Sequence, residues 1–371
     1  MNANKSSLHI LFASRLVLEK WVDILIDAID RSISSWSIIW HIASDGTYEG
    51  IIRRLSEQYP DQVLYYGKVS QERLSELYRK VDFLFMPSRF LETFGLTALE
   101  SLASGSPVIG FRKGGLSSFI PPELALDRSD PTPSLFHILE KDALPLEDVS
   151  GFSFSQWQKT LLNIFHSSDI MLIHDYHEKI GGAEYYVDHV WYSLWMIGKR
   201  VSRYSYRGTT SPWKRRFLFI ISLFDITRYF SLSLYMRQNK PKQIWMHSVM
   251  RYIGFWWLLA VRRYHNKNRE VEIFLSHHDL GMLAPFPQNV TEEDEIPASF
   301  HLSEFVSHVS GMRKIIALVK WCYVLLYRHT LPVDTTHILF APFMEKHIKN
   351  HFPKKKIILF PHSYDEKVFH P

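Results

Sequence analysis

The chain holds one cysteine, Cys322, in 371 residues. That excludes an intrachain disulfide and a cysteine-based zinc site, and makes a reducing, cytoplasmic compartment the expectation. The amino terminus, MNANKSSLHILFASRL, has neither a long apolar core nor a small-residue cleavage site, so no secretory leader is expected in it. A clean apolar run of about 20 residues is also missing. The most apolar stretch, Phe217 to Met236, is interrupted by Asp225 and Arg228 and reads as a helix, not as a membrane crossing. No Asp-x-Asp motif follows a strand, and the acidic segment TEEDEIP reads as a solvated loop, so no metal is expected. No nucleic-acid recognition module is visible.

What is present reads as folded globular protein: 46% of residues are hydrophobic, 15% aromatic and only 22% charged. The length exceeds the usual domain size of about 100–200 residues, which predicts two domains. The formal charge of +5 suits an anionic ligand or an acidic membrane surface.

Short β-rich runs alternate with helical patterns through the first half, the signature of a parallel sheet wrapped by helices. LHILFAS, WSIIWHIAS, QVLYYG, DFLFMP and SPVIGF read as strands. Between them LEKWVDILIDAIDRSI, EGIIRRLSEQY, SQERLSELYRKV and GLTALESLAS carry helical spacing. The pattern dissolves from Leu126 to Ser153, then returns in the helix SFSQWQKTLLNIF. A second α/β series opens with the strand DIMLIHD, a turn at Gly181-Gly182 and the helix AEYYVDHVWYSLWMIG. Strands are predicted at QIWMHS, VEIFLSHH, THILFAP and KIILFP. The domains are therefore placed at 1–167 and 168–371.

The sharpest signal runs from Pro87 to Gly115, PSRFLETFGLTALESLASGSPVIGFRKGG. It follows a strand, turns at Phe94-Gly95 and opens a helix. Free N–H groups and the positive end of the helix dipole suit phosphate or sugar hydroxyls there. Glu92 precedes the helix and Glu100 lies two turns into it, so both carboxylates can face one ligand at different heights. A carboxylate accepts hydrogen bonds from vicinal hydroxyls, and two such acceptors suit a nucleotide sugar.

The paired glutamates around FGLTAL resemble the motif of glycosyltransferase family 4, a family of retaining enzymes with the GT-B fold. The resemblance implies an α/β architecture of two Rossmann-like domains, with parallel sheets facing a cleft. Arg15 and Lys20, in SRLVLEK, stand where the family carries its pyrophosphate-binding Arg and Lys. Gly46 matches the glycine after the second strand, and Lys68 and Val69 match the nucleotide-base loop. The resemblance implies that Glu92 contacts the donor hexose and Glu100 the ribose, while the stretch Thr93, Phe94, Gly95, Leu96 offers backbone to sugar and phosphates. Fixed cations at Arg15 and Lys20 would neutralise a departing nucleoside diphosphate without metal.

The second half resembles the family's other domain, which ordinarily comes first. Gly181 and Gly182 stand where the glycine loop approaches the donor phosphates, and glycine admits that approach because it has no side chain. His278, followed by Asp279, matches the histidine near the transferred sugar; His277 is the neighbouring alternative. KKKIILFPHSYDEKVFHP resembles the interdomain hinge, which ordinarily leads into the donor domain. The implied arrangement is a circular permutation, with donor domain first and acceptor domain second.

The implied function is transfer of a hexose from a nucleoside-diphosphate sugar, with no cofactor, to a hydroxyl of a glycan or lipid-linked acceptor in polysaccharide or glycoconjugate synthesis. Other readings remain open: a different GT-B enzyme such as an epimerase or phosphorylase, a silent nucleotide-sugar-binding subunit, or a half-site partner in an intersubunit enzyme. The aromatic and basic segment from Trp213 to Tyr264 reads either as a surface resting on the inner face of a membrane or as core helices under a basic surface.

Overall fold

The structure of the protein, a computed structural model, describes residues 7–33, 37–88, 91–141, 145–174, 182–205, 214, 221–222, 224–247, 255–278 and 311–371. The chain divides into two compact units, one of 1–157 with 361–371 and one of 158–360. Both are α/β units built on parallel sheets, as the alternating sequence pattern predicts.

In the first unit β1 (Leu8–Phe12), β2 (Ile38–Ile42), β3 (Val63–Tyr65), β4 (Phe83–Met86) and β5 (Val108–Gly110) form a sheet of order β3-β2-β1-β4-β5. The strands are apolar runs rather than alternating ones because helices on both faces keep inner strands dry. Ile10, Leu11 and Phe12 have no solvent exposure, and all four residues of β4 are buried. The crossovers are α1 (Val22–Ser32), α2 (Glu49–Gln58), α3 (Gln71–Lys80) and α4 (Leu96–Ala103). Successive strands step outward from β1 to β3 and then return to β4 on the other side. That reversal puts the topological switch point between the carboxyl ends of β1 and β4, where sheets of this kind leave a crevice.

A further helix, α5 (Pro131–Leu139), lies where the sequence pattern had dissolved. Proline at its first position concealed it, although proline is well accommodated there because that N–H needs no helical partner. The segment 361–371 also belongs to this unit. Tyr364 N–H donates to the Phe152 carbonyl at 3.1 Å, Ser75 Oγ donates to the Val368 carbonyl, and Phe369 packs against Tyr78. The sequence reading breaks the domains after residue 167, whereas the units part at Trp157 and Gln158, inside α6 (Phe154–Ile164).

The second unit has six strands: β6 (Asp169–His174), β7 (Arg200–Ser205), β8 (Gln243–His247), β9 (Glu272–His277), β10 (Thr336–Leu339) and β11 (Ile357–Leu359), in the order β11-β10-β9-β8-β6-β7. Its described helices are α7 (Gly182–Met196), α8 (Thr227–Asn239), α9 (Trp256–Lys267), α10 (Met312–Thr330) and α11 (Phe343–His351). The switch point here lies between β6 and β8. β7 escaped the sequence reading because it is an edge strand of mixed polarity, with none of its six residues fully buried.

The apolar run from Phe217 to Met236, read as one helix, is corrected within its described part. Asp225 breaks the run by accepting from the Thr227 hydroxyl and, at 2.8 Å, from Arg228 Nε, and α8 begins only at Thr227. Among the described residues no helix is long and apolar enough to cross a membrane. TEEDEIP lies outside the described residues.

Candidate functional site

The loops after β1 and β4 meet at the first switch point. After β1 the chain makes a short 3-10 turn, Leu18–Lys20, and Trp21 then adopts a left-handed backbone (φ 53°). A non-glycine residue seldom sits there. Trp21 is held in it by its ring, which packs edge-on against Phe111 at 4.7 Å, and by its N–H bond to the Leu18 carbonyl. This corner fixes where Lys20 leaves the backbone.

Lys20 Nζ forms an ion pair with Glu92 Oε1, which also accepts from Ser88 Oγ at 2.9 Å. Each charged side chain is only 16% exposed. One candidate phosphate ligand is therefore tied to one candidate sugar ligand across the switch point, a link that the sequence motif alone did not contain. Arg15, in contrast, is exposed and has no ion-pair partner among the described residues.

Two glycine contacts hold these loops together. Gly46, beyond β2, lies so close to Leu16 that a Cβ would overlap the Leu16 backbone. Leu16 N–H donates to the Asp45 carbonyl at 2.9 Å and Tyr48 N–H donates to the Leu16 carbonyl at 3.1 Å, clamping the Arg15 loop. On the other side Gly115 N–H donates to the Glu92 carbonyl at 2.7 Å, and a Cβ on Gly115 would stand 2.5 Å from Phe94 Cα. In sequence Gly115 is only the end of the motif; its role as a buttress of Glu92 and Phe94 depends on this long-range packing.

Gly95 starts α4 with φ 100° and turns the chain so that the helix begins at Leu96. Phe94 is buried against Phe119, Phe152 and His362, which leaves the Thr93–Leu96 backbone as the stretch next to the helix start. Glu100 follows within α4. The residue as a whole is half-buried, and burial of its carboxyl pushes the pKa up to about 8, against a smaller opposing effect of a hydrogen bond from Tyr78. Tyr78, wholly enclosed, is pushed up well above the usual phenol range by burial and then by Glu100. Tyr78 was not found from sequence, since a tyrosine on an amphipathic helix reads as core. Lys68 and Val69 follow β3 at the far side of the sheet, Lys68 exposed and Val69 half-buried.

Residues 2–124 match the family of glycosyl transferases group 1. Over 117 residues the chain is 32% identical to an uncharacterized glycosyltransferase of Methanocaldococcus jannaschii, covering 31% of this chain and 30% of that protein. Over 108 residues it is 32% identical to a glycogen synthase of Hydrogenovibrio crunogenus, covering 29% of this chain and 22% of that enzyme. The chain thus matches less than a third of these relatives' length. A solved structure, Anabaena HepE in complex with UDP-glucose, is 19% identical with a TM-score of 0.31, covering 36% of this chain and 38% of that one. The segment 2–124 that matches the family contains Arg15, Lys20, Gly46, Lys68, Val69, Glu92–Leu96 and Glu100.

The remaining candidates belong to the second unit. Gly182 opens α7, while Gly181 and Asp279 lie outside the described residues. His278 stands just past β9, half-buried, beside Tyr186 of α7 and Phe340. His277 points to the other face and stacks on His337, with its Nε2 2.8 Å from His337 Nδ1. Burial lowers the His277 pKa to about 3 and holds His337 well below the usual imidazole range, with His277 and Lys355 adding to the effect. His277 is thus a buried core pair, and His278 is the one of the two that faces the switch-point side.

That side carries an unexpected row. His174 and His247 are register partners at the ends of β6 and β8, and His247 Nδ1 lies 3.2 Å from His278 Nε2. Arg203 of β7 donates from Nε to His174 Nε2 at 2.6 Å and pairs with Asp188 of α7 at 2.6 Å. In sheet order β9-β8-β6, the carboxyl ends therefore carry His278, His247 and His174, and Arg203 reaches His174 from two residues before the end of β7. Single histidines at strand ends gave no signal by themselves in a chain with 19 of them.

Proposed function

We propose that the protein is a retaining glycosyltransferase of the GT-B type that moves a hexose from a nucleoside-diphosphate sugar to a hydroxyl of a glycan or lipid-linked acceptor, without a metal. The observation that carries this reading is the Lys20–Glu92 pair at the first switch point, inside the segment similar to glycosyltransferases. There Arg15 and Lys20 neutralise the departing diphosphate, doing with fixed cations what a metal does elsewhere. Glu92 orients the hexose and Glu100 accepts from the ribose hydroxyls. The Thr93–Leu96 backbone and the start of α4 meet sugar and phosphate, and Gly46 lets the Arg15 loop come close. Lys68 and Val69 border the base.

In this reading the second unit, with Gly181, Gly182 and His278, is the acceptor domain, and the two domains stand in circularly permuted order. Support comes from the segment 361–371, which resembles the hinge into a donor domain and packs with the first unit. A role in polysaccharide or glycoconjugate synthesis, at the inner face of the membrane, fits the resemblance and the net positive charge.

The test is a thermal-shift screen of uridine, guanosine and adenosine diphosphate sugars with wild type and Arg15→Ala, followed by product analysis. One donor class should raise the melting temperature in the wild type and lose that effect in the variant. Free nucleoside diphosphate with an α-linked product from an α-linked donor supports retaining transfer. Binding without turnover points to the silent subunit, and the absence of any donor shift overturns the reading.

A further inference from the structure

Outside the donor loops, the row at the carboxyl edge of the second sheet holds a fully buried histidine, His247, with one ring nitrogen used and one left over. Nδ1 faces His278 Nε2 at 3.2 Å, and Nε2 is enclosed with no hydrogen-bond partner among the described residues. Its surroundings keep the ring in place: Trp245 lies 4.4 Å away and Tyr186 meets it edge-on. Trp245 is itself tied to Ser276 through a 2.6 Å bond from its indole N–H.

We propose that His247 is a positioning residue that holds His278 in one tautomer, with the His278 proton on Nδ1. The inference rests on the assignment of His278 to the acceptor side. Burial, then the charges of His278, His174 and Arg203, keep His247 neutral, so the ring has a single N–H to place. Put on Nε2, that N–H would be an orphaned buried donor, among the rarest defects in folded proteins. Put on Nδ1, it donates to His278 Nε2 and leaves only a lone pair unmatched. His278 Nε2 is then an acceptor, and a neutral His278 must carry its proton on Nδ1. In an unconstrained neutral histidine side chain the proton favours Nε2, so the protein imposes this tautomer. The same logic runs at the next position, where Arg203 Nε, which can only donate, makes His174 Nε2 an acceptor.

Nδ1 is thus the nitrogen of His278 that carries the N–H, a donor of the kind suited to a sugar hydroxyl or ring oxygen. The orienting partner is not an aspartate or a carbonyl, as is usual for functional histidines, but a second neutral imidazole.

Long-range nitrogen–proton NMR on nitrogen-15 histidine-labelled full chain, without any nucleotide sugar, tests this directly. His278 is assigned by the signals lost in His278→Gln. In the wild type its Nε2 should resonate as an unprotonated nitrogen. His247→Asn, whose amide nitrogen falls near Nδ1, should keep that pattern. His247→Leu should move the His278 proton to Nε2. A wild-type His278 protonated on Nε2 overturns the proposal even if His247→Leu does not fold, and so does an unchanged tautomer in a folded His247→Leu. Because no donor is present, this result is separate from the thermal-shift screen, which can fail or succeed alone.

Discussion

Glu92 shows how one residue can be held ready and held back together. Its ion pair with Lys20 is largely shielded, so removing either partner leaves a poorly hydrated charge and should cost stability as well as donor affinity. Arg15 is exposed and unpaired among the described residues, so Arg15→Ala should leave the melting temperature of the free protein unchanged. It should still weaken donor binding by about 10-fold to 100-fold, the range expected for one charge-assisted bond. Lys20→Ala should lower both quantities, and calorimetry with differential scanning separates the two patterns.

Glu100 gives a prediction in pH. Its carboxyl is protonated up to about pH 8 in the free protein, whereas ribose hydroxyls donate best to the carboxylate. Donor binding should therefore release a proton below pH 8, with affinity rising toward that pH and levelling above it. Titration calorimetry in buffers of different ionisation enthalpy measures the proton, and Glu100→Gln should abolish it. For folding the sign is opposite, since the native state keeps a proton that the unfolded chain loses above its ordinary value of 4.5. Glu100 therefore contributes a loss of stability as pH rises from there toward 8.

The connecting elements show what the sequence could and could not carry. Strands such as β1 and β4 were legible because burial on both faces makes them plain apolar runs, and α4 because a glycine turn announces it. β7 was not, since an edge strand keeps polar residues on both sides. The donor-side residues were legible as a spaced motif on consecutive elements. Tyr78, Ser88, His174 and His247 were not, because each becomes meaningful only through a partner on a neighbouring element. Gly46 belongs between the two groups: its place in sequence was visible, its reason was not. That reason makes Gly46→Ala a test of the loop clamp, since the new Cβ would overlap Leu16 backbone. A loss of about 2 kcal/mol is expected, lowering the melting temperature by roughly 4–8 °C in a unit of this size. An unchanged melting temperature would mean that the β1 and β2 loops are not locked together.

Over the molecule as a whole, buried histidines set the acid limit. His247, His277 and His337 in the second unit are all held neutral by burial, His277 with a pKa of about 3. An unfolded chain binds protons at these positions below the ordinary value of 6.5, so native stability is complete above that pH and falls as pH drops below it. Limited proteolysis between pH 7 and pH 5 should therefore cut the second unit first. His41 in the first unit, lowered to about 4 by burial, His9 and Lys80, gives that unit a weaker dependence of the same sign.

The chain leaves the first unit inside α6 and re-enters it at Pro361. In sequence the second unit is an insert, anchored at both ends in a host. Once the host has folded, the insert's two ends are no longer free to wander apart, even when the insert itself is unfolded. The host thus acts on it as a crosslink acts on a loop, trimming the entropy of its disordered state by an amount on the order of a few kcal/mol. A protein whose lone cysteine rules out an internal disulfide obtains a staple of the same kind from its chain path alone.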